Sequence, residues 1–186
     1  MVESRKGQCG SRFASERHAN RIQASFAAEG LPSTLGGVGM RRTLETVVKV
    51  ESEKPPISPA DTSRLLRRLA NRLRVSHDSI GVLFSGDARL KRLNSKFRGK
   101  NRPTDVLSFP AGDEGLPPGA PRHLGDIVIS TPTTRRQAML RGVPAGREAR
   151  VLLIHGLLHL LGYDHETDDG EMEMLERTLG WEVFKG

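Results

Sequence analysis

Leu44, Thr46, Val48 and Val50 alternate with more polar neighbours. This is the two-residue period of a strand rich in branched side chains, and it predicts a first strand over residues 43–50. Ser58-Pro59-Ala60-Asp61 then combines a capping serine, a proline at the first helical position and an acid in the first turn. The helix it starts is predicted to run to about residue 74, with Leu65, Leu66, Leu69 and Leu73 on one face and arginines 64, 67, 68, 72 and 74 over much of the rest. A second strand is predicted over 80–84, a short helix over 87–97 and a third strand over 105–109. A Pro/Gly-rich connection fills 110–121. Residues 125–130 set Ile127 and Ile129 against Asp126, Val128 and Ser130, a further strand. Thr131-Pro132 starts another helix that Gly142 and Pro144 end. The next helix, about 146–161, is apolar nearly all round from Val151 onward, the pattern of a buried helix. In the last helix Thr167 reads as the N-cap, with Asp168, Asp169 and Glu171 complementing the helix dipole, and Leu175, Leu179, Trp181 and Phe184 are expected to pack it on the body. Strands and helices mix without strict alternation, so the class is α+β with one small sheet packed by helices.

Residues 1–39 show neither period. They are rich in Gly, Ser and Arg and are expected to be a disordered extension, with the patterned domain over 40–186; a chain starting at Met40 is expected to fold. Glu3, Glu16 and Glu29 count against a transit peptide, and no apolar core of a secretory signal or membrane span is present. The single cysteine, Cys9, cannot form an internal disulfide, which fits a reducing cytoplasm. The formal net charge of +7 makes a polyanion, nucleic acid before membrane, the partner to consider. Residues 89–102 concentrate that charge: Arg89, Lys91, Arg92, Lys96, Arg98, Lys100 and Arg102 face no acid within the stretch. Phosphate contact and simple solvation explain such a run equally well.

The strongest chemical signal lies in the buried helix. His155 and His159 stand at i, i+4, on one face. Gly162 is suited to reverse the chain, and the turn Tyr163-Asp164 brings His165 back toward the same point. Three buried imidazoles lacking a common partner would each cost about 1–3 kcal/mol in unmet hydrogen bonds. Three imidazoles around one divalent ion, with a fourth position open, form a catalytic type of zinc site. The spacing is zincin-like and matches the metzincin peptidase skeleton, except that the glutamate base following the first histidine is here Gly156, which disfavours peptide hydrolysis. His123 has no partner at ligand spacing and reads as a surface histidine. For Asp126 and Asp164 two readings stand side by side: orienting a ligand histidine, or forming a turn or cap.

His155-Gly-Leu-Leu-His159-Leu-Leu-Gly-Tyr-Asp-His165 resembles the signature of the YbeY-type endoribonucleases, which mature ribosomal RNA. The block from Leu93 to Pro110, with Phe97-Arg98-Gly and Pro103-Thr104-Asp105-Val106-Leu107-Ser108-Phe109, is similar to that family's other hallmark, and Gly125-Asp126-Ile127 to a smaller one. The resemblance, over about residues 43–182, implies a single α+β domain with a mixed sheet of about four strands and one zinc ion on His155, His159 and His165. It implies that Arg98 is catalytic and lies near the metal, its planar fork suited to a scissile phosphate. Lys96, Lys100 and Arg102 would bind the flanking RNA backbone. The implied function is cleavage of single-stranded or structured RNA in small-subunit rRNA maturation and ribosome quality control. The small ribosomal subunit, a small-subunit ribosomal protein and an Era-type assembly GTPase would be partners, and neither membrane nor DNA. With one Tyr and one Trp for stacking, RNA shape rather than base sequence would set specificity. The alternative is a non-catalytic assembly factor that binds RNA and uses zinc structurally. Two features stand apart from the family pattern: the 1–39 extension and the long 110–121 loop.

Overall fold

The computed structural model describes residues 44–51, 54–112, 114–165 and 168–185. The expectations for residues 1–39 and for Thr167 as a cap lie outside these. In chain order the elements are β1 (Glu45–Val50), α1 (Pro59–Arg72), β2 (Ser79–Ser85), α2 (Asp87–Arg98), β3 (Val106–Pro110), β4 (His123–Ser130), α3 (Thr131–Leu140), α4 (Ala145–Leu160) and α5 (Glu171–Lys185). The protein is α+β, with a four-stranded mixed sheet in the order β1-β2-β4-β3. β1 and β4 run parallel to β2, and β3 runs antiparallel to β4 along one edge.

Alternate residues of the two central strands feed two cores. Ile80, Val82 and Phe84 of β2 and Ile127 and Ile129 of β4 join Leu66 and Leu69 of α1, Leu153 and Leu157 of α4, and Met172 and Leu179 of α5. Leu83 and Val128, one residue out of phase, meet Leu107 of β3 and Leu90 of α2 on the opposite side. β4 is therefore buried along nearly its whole length. The one-sided alternation expected for it does not hold, because helices cover both faces of a central strand. Its polar members are hydrogen-bonded instead: the Ser130 hydroxyl accepts from Thr133 N and caps α3.

Helix ends follow the sequence cues. Ser58 caps α1 by accepting from Asp61 N at 3.1 Å. Gly162, at φ +92°, ends α4 in a Schellman turn, with Gly162 N donating to His159 O and Tyr163 N to Leu158 O, both at 3.1 Å. Asp168 serves the start of α5, its carboxylate accepting from Gly170 N and Met172 N. The packing face of α5 agrees with the expected one at Leu175 and Leu179 and differs at Trp181 and Phe184. Met172, Leu175, Leu179 and Val183 turn inward, while Trp181 is 64% exposed and Phe184 lies at the surface beneath the Arg147 guanidinium. The inward set follows helical spacing, with which Trp181 and Phe184 are out of step. Among the described residues no helix is long and apolar enough to cross a membrane.

Candidate metal centre

α4 carries His155 and His159 one turn apart, and the Schellman turn returns the chain so that His165 faces them. The ring centroids lie 4.5 Å apart for His155 and His159, 5.4 Å for His159 and His165, and 5.7 Å for His155 and His165. One nitrogen from each ring can be chosen so that all lie within 4.8 Å of one another. The Nε2 atoms of His155 and His159 are 3.1 Å apart. An ion held tetrahedrally by imidazoles at about 2.0–2.1 Å would set neighbouring nitrogens about 3.3–3.4 Å apart, so this donor pair needs only a small adjustment. The trio fits one divalent ion.

Protonation favours the same reading. Burial is the largest influence on His159 and lowers its pKa; the charges of His155 and His165 lower it further, while the Asp164 carboxylate and a hydrogen bond that the ring donates to the Tyr163 backbone oppose them. The result holds His159 below the usual imidazole range, neutral and ready to donate a lone pair. His155 Nδ1 donates to Glu176 Oε1 at 2.6 Å, a contact absent from the sequence expectations. Glu176 lies on α5, far from the motif in sequence, and an acidic residue in that helix carries no spacing signal. Asp126 pairs with a different histidine. It is 1% exposed and its carboxylate accepts from His123 Nε2 at 3.3 Å. His123 is accordingly partnered rather than an ordinary surface histidine. It belongs to β4, half-buried, and its Nδ1 pairs with the Ser79 hydroxyl.

Gly156 faces the sheet. Its carbonyl accepts from the Ser108 hydroxyl at 3.1 Å, and a Cβ there would stand 2.9 Å from Ile127 Cγ2 and 3.1 Å from Ser108 Oγ. The place of the peptidase glutamate is thus closed by side chains of β3 and β4, and no side chain fits it unless Ile127 or Ser108 gives way.

The basic residues gather in a second place. Gly99, at φ +68°, closes α2 and turns the chain, and Asn94 Nδ2 donates to Arg102 O at 2.8 Å, holding the loop back on the helix. Arg98, Lys100 and Arg102 line a cleft of about 260 Å³ together with Thr104, Asp105, Thr133 and Gln137; the three histidines are not among its lining residues. Lys96 lies outside it, with Nζ 5.5 Å from the Phe97 ring centre. β3 links the two places. Phe109 meets Phe97, beside Arg98, at 5.1 Å between ring centres, while Ser108 bonds Gly156, beside His155.

Fold and site define an α+β protein whose buried helix and following turn bring together three histidines that could hold a metal ion. Residues 48–180 match the family model described as Endoribonuclease YbeY, and the chain belongs to the YbeY family. It is 50% identical over 103 residues to Endoribonuclease YbeY of Chelativorans sp. strain BNC1, covering 54% of this chain and 63% of that protein. It is 48% identical over 103 residues to the Rhodopseudomonas palustris protein of the same name, covering 54% of each. With Endoribonuclease YbeY of Persephonella marina it shares 43% identity over 120 residues, covering 64% of this chain and 77% of that protein. The matches thus span less than two thirds of the length of the first two relatives. The solution structure of TM1509 from Thermotoga maritima superimposes with a TM-score of 0.52 at 27% identity, covering 75% of this chain and 89% of that one.

Proposed function

We propose that this protein is a zinc-dependent endoribonuclease that trims ribosomal RNA. The observation that carries the reading is the convergence of His155, His159 and His165, with His159 held neutral, in a chain of the YbeY family. When bound, zinc supplies a water acidified to a pKa of about 7 and a Lewis acid for a phosphoryl oxygen. His155, His159 and His165 would hold the ion by their ring nitrogens, and His165 is the exposed member of the trio. Arg98 pairs with the scissile phosphate and stabilises the charge that builds up on its oxygens. Lys100 and Arg102, beside Arg98 in the same cleft, grip the adjoining backbone, with Lys96 further along the helix. No glutamate at position 156 would be needed, because a water acidified by the ion would lose its proton to solvent at neutral pH. The proposal extends to small-subunit rRNA end processing and ribosome quality control in the cytoplasm, with the small subunit, one of its proteins and an assembly GTPase as partners.

The test combines metal content with cleavage of structured ribosomal RNA. One zinc per chain in the wild type is expected, with cleavage lost in Arg98→Ala while fold and zinc are retained. His155→Ala is expected to lose both zinc and cleavage. A zinc-replete wild type that binds the RNA without cutting it would overturn the enzyme reading in favour of an assembly factor with structural zinc.

A further inference from the structure

The histidine trio lies on one helix and its turn, yet a carboxylate that touches it comes from another element. Glu176 Oε1 stands 2.6 Å from His155 Nδ1, with both side chains half-buried. Glu176 is flanked on α5 by Met172, one turn before, and Leu179, nearly one turn after, both buried against the body. Its backbone is therefore fixed by packing, and its carboxylate approaches α4 from a set direction. A carboxylate only accepts hydrogen bonds, so the His155 proton resides on Nδ1. The lone pair then resides on Nε2, the atom that faces His159 Nε2 at 3.1 Å. In solution a neutral imidazole divides itself between two tautomers and many ring orientations. Here one carboxylate selects both.

We infer that Glu176 is the positioning residue of the metal centre, fixing the tautomer and ring angle in which His155 presents Nε2 to the ion. The inference rests on the proposed use of the three histidines as ligands. It makes α5 part of the metal site, although the ligand motif ends before that helix begins. Outer partners of this kind are worth about 10–100-fold in metal affinity.

The experiment uses the full chain stripped of metal, with zinc affinity read by competition against a chromogenic chelator. Glu176→Ala is expected to bind zinc about 10–100-fold more weakly than the wild type. Glu176→Gln, which keeps an acceptor oxygen at the same reach, is expected to recover part of that loss. Circular dichroism and thermal unfolding of the metal-free proteins separate this from a merely structural role, which would lower the melting temperature and leave zinc affinity alone. Long-range proton–nitrogen correlation spectra of the imidazoles give a readout that needs no metal. His155 is expected as the Nδ1–H tautomer in the wild type and in Glu176→Gln, and redistributed toward Nε2–H in Glu176→Ala. A folded Glu176→Ala protein within about twofold of wild-type affinity would overturn the inference and leave the metal reading standing. If Glu176→Ala does not fold, an Nε2–H His155 in the wild type or in Glu176→Gln overturns it. A wild type that binds no zinc overturns the metal reading and this inference together.

Discussion

Asp87 shows how single side chains outside the metal centre are tuned by their neighbours. Burial pushes its carboxyl up, but the hydroxyls of Ser130 and Thr133 and the guanidinium of Arg136 outweigh it and hold the group below the usual carboxylate range. The folded state thus binds this proton less readily than the unfolded chain. The associated stability is present above a pH of about 4 and is lost as pH falls through the lowered native value. Asp87→Asn is expected to cost about 1–2 kcal/mol at neutral pH through weaker hydroxyl contacts and to flatten the acid limb of the stability profile; urea unfolding from pH 2 to 7 checks both. An equally steep acid limb in the variant would refute it. The sequence disclosed single residues unevenly. His155, His159 and His165 could be read because helix period and a glycine turn fix their relative positions. Glu176 and the His123–Asp126 pair could not, because these contacts depend on how α5 packs and on β4 lying in the middle of the sheet.

Among the elements, α4 is the one whose sequence and packing agree most closely. Its apolar girth predicted burial, and it lies against β3, β4 and three other helices, α1, α3 and α5. Gly156 marks a close approach to the sheet. Adding one methyl there would gain about 1 kcal/mol of helix propensity. It would also press on a fully buried Ile127 and on the Ser108 hydroxyl, an overpacking cost of about 1–3 kcal/mol. The second effect wins, so Gly156→Ala is expected to lower the melting temperature in thermal unfolding, and Gly156→Glu to lower it further without creating peptidase activity. A Gly156→Ala protein more stable than the wild type would show that the sheet yields at this contact. α5 was less legible. Its acids announced a helix start, but two sets of apolar residues, one ending in Val183 and the other in Trp181 and Phe184, competed for the inner face. Only the docking against α4 decides between them.

For the molecule as a whole, the excess of Lys and Arg, 29 against 22 Asp and Glu, matters through where it is placed. Arg98, Lys100 and Arg102 share one cleft. If each contacts one phosphate of single-stranded RNA, the logarithm of affinity should fall with that of salt at a slope of about −2, roughly a 20-fold loss between 50 and 200 mM. Lys100→Ala is expected to reduce that slope by about 0.7, measured by fluorescence anisotropy on metal-free protein so that the RNA stays intact. An unchanged slope would place Lys100 outside the RNA path. The α+β class and the strand sequence were readable from periodicity. The order β1-β2-β4-β3 was not, since periodicity says which residues face a core and is silent on which strands adjoin.

The Schellman turn after α4 has a bearing on how this protein tolerates change. All three histidines fall within residues 155–165, so their spacing is inherited from one helix and its cap. Substitutions in β1, β2 or α1 weaken the body without entering that spacing. Inherited variation in those parts should therefore show itself as dosage, fewer folded molecules surviving cellular proteolysis, while each surviving molecule keeps its full specific activity.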